Sequence, residues 1–147
     1  MVNDVIAAVS NSLYNEFGEE YRIYADNVEQ NLVRPCFFIN IIRPALLSGS
    51  IGRDKMSVPL VIQYFPTGIG KRLECYSVAD RLFRCLKYSE YKDVVFRGTD
   101  IKFDINDDKL NFYVQYNFFT VEHDPDTVEP TIDDVQSTVS TNREDDN

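Results

Sequence analysis

The stretch that most constrains this chain is Pro35-Cys36-Phe37-Phe38-Ile39-Asn40-Ile41-Ile42-Arg43. Aromatic and β-branched residues fill it without polar alternation: Phe37, Ile39 and Ile41 would face one way, Cys36, Phe38 and Ile42 the other. Such a run predicts a strand covered on both faces. We therefore place residues 35–43 as the central strand, around which the rest must be arranged. A second strand-like run, Tyr21-Arg22-Ile23-Tyr24-Ala25-Asp26, precedes it across the polar bridge 27–34.

The flanking segments supply cover. Val2, Val5, Ile6, Val9, Leu13 and Phe17 recur at helical spacing, which predicts an amphipathic helix over 2–17 with Gly18 as its left-handed C-terminal cap. A second helix is expected over 71–89, with Cys75, Tyr76, Val78, Ala79, Leu82, Phe83, Cys85 and Leu86 on a broad apolar arc. Residues 56–65 form a further strand, in which Pro59 needs an edge or a bulge. Val94-Val95-Phe96 continues through Gly98 into Ile101, Phe103 and Ile105, and the change of inward parity across Gly98 implies a bulge or kink. Asn106-Asp107-Asp108-Lys109 is a turn, and the last strand alternates Leu110, Phe112, Val114, Tyr116 and Phe118 against Asn111, Tyr113, Gln115 and Asn117. The expected fold is α+β: a mixed or antiparallel sheet of four to five strands with two helices packed on it.

Charge divides the chain. From Glu122 onward there are nine acids and one base, whereas residues 1–121 have a net charge of only −1. A domain over 1–121 is thus expected to be followed by an acidic tail over 122–147, too poor in large apolar groups to offset its ordering entropy and hence disordered. With no basic surplus, recognition of nucleic acid is not expected. No apolar run approaches the length of a membrane span, and the start Met1-Val2-Asn3-Asp4 lacks the basic character of a signal peptide, so a cytoplasmic protein with no membrane partner is expected. Three cysteines without a Cys-x-x-Cys pair fit reduced thiols.

Sites of chemistry are scarce. Cys36, Cys75 and Cys85 fall among buried positions, and the single histidine, His123, stands at the start of the acidic tail. No metal set, catalytic residue or cofactor is expected. Gly68-Ile69-Gly70-Lys71-Arg72 looks superficially like a phosphate loop, but Phe65 stands where the first glycine is needed and Arg72 where Ser or Thr would hold magnesium. Interaction is better provided for. The segment 45–55, between two strand-like runs, predicts a long hairpin loop that carries Leu46, Leu47 and Ile51 together with Arg53, Asp54 and Lys55. Tyr24 and Tyr113 are outward aromatics of the kind enriched at interfaces.

The order of a short helix ending in Phe17-Gly18, then Tyr21-x-Ile23-Tyr24-x-Asp26, Val28-Glu29-Gln30 and Pro35-Cys36-Phe37-Phe38-Ile39, with Tyr64-Phe65-Pro66 later, resembles the tail terminator family of phages and prophage-like elements of Gram-positive bacteria. The resemblance covers residues 1 to about 121. It implies a virion structural protein, assembled in the host cytoplasm into a ring, most often a hexamer, that caps the tail tube at its head-proximal end. Its partners would be further copies of itself, the tail tube protein and head-tail connector proteins. The alternatives are a head-tail connector or other minor tail component and, from a different class, a small-ligand binder or enzyme using the Gly68–Arg72 turn.

Overall fold

The computed structural model describes residues 2–25, 32–48 and 53–121. The chain divides into two units, one of residues 1–48 with 55–119, the other of 49–54 with 120–147. In the second unit, described only at Arg53, Asp54, Thr120 and Val121, the Thr120 hydroxyl donates to the Asp54 carbonyl at 3.4 Å. The acidic tail and its expected disorder lie outside the described residues.

Helix α1 spans Val2–Phe17 and buries Val5, Ala8, Val9, Leu13 and Phe17. It stops where Gly18 takes φ 84° and its N–H returns to the Tyr14 carbonyl at 2.9 Å. Strand β1, Arg22–Tyr24, then runs parallel to β2, Cys36–Ile41. Strands β3, Ala45–Ser48, and β4, Arg53–Phe65, follow, and then helix α2, Lys71–Cys85. Three strands complete the fold: β5 Tyr88–Tyr91, β6 Val94–Asn106 and β7 Lys109–Val121.

The class is α+β, but the sheet has seven strands in the order β1-β2-β4-β7-β6-β5, with β3 also on β4. The expectation of four to five strands missed β3 and β5. It also misplaced the centre: β2 is next to the edge, and β4 and β7 hold the middle. One face of β2 is the drier, with Phe37 and Ile39 in the core and Ile41 half-buried; on the other Phe38 is half-buried, and Ile42, just past the strand, is exposed. The apolar run of β2 is long because Cys36 is buried as well.

The helices contribute to one apolar cluster with alternate residues of the middle strands: Val58, Leu60, Ile62 and Tyr64 of β4, and Leu110, Phe112, Val114 and Tyr116 of β7. Strict alternation places all of these on one sheet face, so α1 and α2 cover that face, and among the described residues the other carries no helix. Arg81 of α2 ties the two helices together. Its guanidinium donates to the Glu16 carboxylate at 2.9 Å and the Glu16 carbonyl at 2.7 Å, and lies 4.2 Å from the centre of the Phe17 ring. The Glu16 carbonyl belongs to the last turn of α1, where a cation also meets the negative end of the helix dipole.

Helix α2 ends at Cys85, four residues before the expected limit, because Leu86 returns to the Leu82 carbonyl and the chain then enters β5. Strand β5 pairs antiparallel with β6 from Tyr88↔Arg97 to Tyr91↔Val94. The bulge expected at Gly98 falls slightly later, as a register shift between Thr99 and Lys102 with Asp100 at φ 52°. Gly98 answers a different need. A Cβ there would stand 2.6 Å from the Leu86 carbonyl oxygen and 2.9 Å from Val114 Cγ2, so glycine lets β6 pass under the end of α2.

Candidate functional site

The segment expected as a long loop is mostly the arm of a hairpin. Pairing of β2 with β4 stops at Ile41↔Leu60, next to Pro59, which has no N–H to offer. The Ile42 N–H donates to the Pro59 carbonyl at 2.8 Å, Arg43 turns through φ 52°, and after Pro44 the chain rejoins β4 as β3. Pro59 thus sits at the irregularity it requires. Every residue of β3 is exposed, Leu46 at 56% and Leu47 at 54%. Neighbouring residues of a strand point to opposite faces, so each face of this arm presents a bare leucine. Lys55 is exposed and Asp54 half-buried. Ile51 and the side chain of Arg53 lie outside the described residues.

Tyr24 is less outward than expected. It is half-buried, its ring lies 6.2 Å from Phe38, and its hydroxyl accepts the Val33 N–H at 3.3 Å. The strand carrying it, β1, stands at one end of the sheet order.

Tyr113 lies on the helix-free face, half-buried, beside a shallow depression of about 100 Å³ lined in part by Ile42, Pro59, Asp100, Lys102 and Gln115. Burial first, and then the neighbouring Asp104, raise its hydroxyl above the usual tyrosine range. Two polar ladders cross the same face. In the first, Asn40 donates to Gln63 at 3.5 Å, Gln63 to Asn111 at 3.2 Å and Asn111 to Asp104 at 3.0 Å, spanning β2, β4, β7 and β6. In the second, Gln115 donates to Ser57 at 2.9 Å and Asn117 to Thr99 at 3.3 Å. These residues were not singled out from the sequence. The alternation of β7 shows Asn111 of the first row and Gln115 and Asn117 of the second, but their partners on β2, β4 and β6 follow only from register.

The phosphate-loop-like turn is already filled. Gly70 takes φ 72° at the start of α2, and the Glu74 carboxylate accepts the N–H groups of Thr67 at 3.3 Å and Gly68 at 3.1 Å. The Tyr64 hydroxyl donates to the same carboxylate at 2.5 Å. The chain's own anion occupies the position a bound phosphate would need. Cys36 and Cys75 are buried, and burial raises both thiols above their usual range, while that of Cys85 is pushed up to about 12, also mainly by burial. Thiols held neutral are poor nucleophiles. Among the described residues no three His, Cys, Asp or Glu side chains come together as a metal site, and no helix is long and apolar enough to cross a membrane. His123 lies outside the described residues. One position of the expected α2 arc is corrected: Tyr76 is 45% exposed, with the Arg72 guanidinium 6.0 Å from its ring centre.

Residues 4–128 match the family model described as phage tail terminator protein. The chain belongs to the phage tail terminator family. A comparison with curated proteins finds no significant match. Family membership gives the chain a structural role in the phage tail and a place in the tail of the virion.

Proposed function

We propose that this protein caps the tail tube: subunits close into a ring, six being the expected number, dock on the head-proximal end of the tube, stop its polymerisation and present the surface that joins the head. It does so without a chemical step. The host in this reading is a Gram-positive bacterium carrying a phage or prophage, with assembly in its cytoplasm and with tube and connector proteins as partners. The observation that carries the reading is the β3 arm, whose two leucines are exposed on opposite faces in a chain of this family. A monomer gains nothing from exposing both, whereas an assembly that inserts the arm between neighbours removes both from water, at about 25 cal/mol per Å² of apolar surface.

A cap needs contacts that close on themselves, since a heterologous contact that does not close makes a filament. The edge strand β1 offers one such contact, by adding a neighbour's strand to the sheet. The arm offers the other. Replacing Leu46→Ser and Leu47→Ser together should leave the subunit folded and yield tails of uncontrolled length or tails that do not join heads. Tails of normal length on infectious particles would remove the arm from the interface. Normal tails from a phage that lacks the gene would remove the capping function itself.

A further inference from the structure

Helix α2 begins with apolar side chains on its outer surface. Ile69 is fully exposed, Leu73 is 73% exposed and Tyr76 is 45% exposed. Their spacing of four and then three residues puts them on one stripe of the helix and the turn before it. Lys71 and Arg72 flank the stripe, and the Arg72 guanidinium donates to the Tyr76 hydroxyl at 3.5 Å. Two cations in a first turn oppose the helix dipole, so they do not serve the helix that carries them. Apolar and basic together, the stripe asks for a partner that is apolar and acidic.

The sequence contains one. Val128, Ile132, Val135 and Val139 recur at spacings of four, three and four residues, interleaved with Glu129, Asp133 and Asp134. The same periodicity marks both sides. Apart from its first residue this segment lies beyond the family match, which ends at residue 128.

Chain length favours a second copy as the source. Lys109, at the start of β7, lies against Phe65, whose strand leads into α2 through the short turn 66–70, so α2 begins at the Lys109 end of the sheet. From Lys109 to Phe119 the strand covers roughly 33 Å. From Phe119 to Val128 a fully extended chain reaches at most about 32 Å. Setting Val128 at Ile69 of its own helix would need a taut chain, so a chain docking on itself is left only the orientation with Val128 near Tyr76, which lies against Phe103. A neighbouring subunit is under no such restriction.

We propose that residues 128–139 of one copy dock on the Ile69, Leu73 and Tyr76 stripe of a neighbouring copy, with their carboxylates against Lys71 and Arg72. Such a contact supplies the segment's apolar cover and its counter-charges in one step. The contact requires two copies to meet, but it does not require that they cap a tube.

The test places a photo-activated benzophenone amino acid at position 73 of the full-length chain, mixes isotopically heavy and light copies, and identifies the cross-linked peptides by mass. It is run on the isolated protein and on assembled particles. The expected product joins position 73 of one copy to a peptide from 128–139 of the other. It should disappear with Ile132→Ser, Val135→Ser and Val139→Ser combined, fall several-fold with Lys71→Glu and Arg72→Glu combined, and weaken with added salt. Cross-links confined to one copy, to another segment, to the tube protein or to a host protein overturn the proposal. So does the absence of a product in both samples, or a yield unchanged in the tail variant. Circular dichroism verifies that the variants fold. Normal tail length in a gene deletion would not alter this product, and loss of the product would leave tube capping standing.

Discussion

Single atoms decide several features of this molecule. The 2.6 Å approach of the Leu86 carbonyl to the position of a Gly98 Cβ leaves no room for a methyl group, and the obstacle is backbone that belongs to the α2–β5 connection. Gly98→Ala should therefore cost about 1–3 kcal/mol of unfolding free energy, the range for overpacking a tight interior. A urea midpoint equal to the parent's would show that the connection gives way freely. Beside it a buried relay runs from Ser12 to Ser89 at 2.9 Å, Ser89 to Tyr116 at 3.1 Å and Tyr116 to the Leu86 carbonyl at 2.7 Å. Removing the hydroxyl by Tyr116→Phe strands a buried carbonyl and should cost about 1–3 kcal/mol. Burial raises the phenols of Tyr64 and Tyr116 above their usual 10.0, and the Cys85 thiol from 9.0 to about 12. The unfolded chain thus ionises first, so the stability these groups contribute is intact below the unfolded values and is lost as pH rises through the folded ones. The urea midpoint should accordingly fall as pH rises from about 9 to about 12, and less steeply in Tyr116→Phe. A flat profile would mean that these groups ionise in place.

At the scale of elements, the helices were the most legible. Both starts and the end of α1 agree with the periodicity, and Leu82, at the centre of the α2 arc, is fully buried. Leu82→Ala should destabilise by about 2–5 kcal/mol, and an effect under about half a kcal/mol would contradict its place in the core. The missed strands have physical reasons. Leu86 continues the helical arc into the core while Ser89, the buried residue of β5, is polar, so the change of period around Lys87 leaves little mark. The turn after β5 is Lys92-Asp93, with φ 51° and 65°, and that after β6 is Asp107-Asp108, with φ 53° and 58°. Both central residues are left-handed in each, the geometry for which Asn-Gly is the usual signal, and neither turn carries glycine. Asp93→Gly and Asp108→Gly should each stabilise the protein by about 1 kcal/mol, since an L side chain in that region carries a penalty of this size. Strand β3 was hidden for another reason: its residues are all exposed, so no inward alternation exists to read. The leucines of the β3 arm were visible in the sequence, but the backbone that displays one on each face was not.

For the whole molecule, the apolar cluster closes within α1, α2 and the strands, and its last buried residue is Tyr116. Among the described residues, none after Phe118 joins that cluster. The net charge is −1 for residues 1–121 against −8 for the remaining acidic extension. If the extension holds neighbouring copies together instead of supporting its own core, folding and association must respond differently to its removal. Deleting residues 123–147 should change the unfolding free energy of the subunit by no more than about 1 kcal/mol, the scale of changes away from packed features. The same deletion should weaken self-association, measured by native mass spectrometry across a concentration series, and remove most of its dependence on salt, because the carboxylates that meet Lys71 and Arg72 are gone. A cooperative loss of structure would make the extension part of the fold. Unchanged association with unchanged stability would leave ring closure to the strand edges and the β3 arm alone, and Leu46→Ser with Leu47→Ser would then be the change that abolishes it.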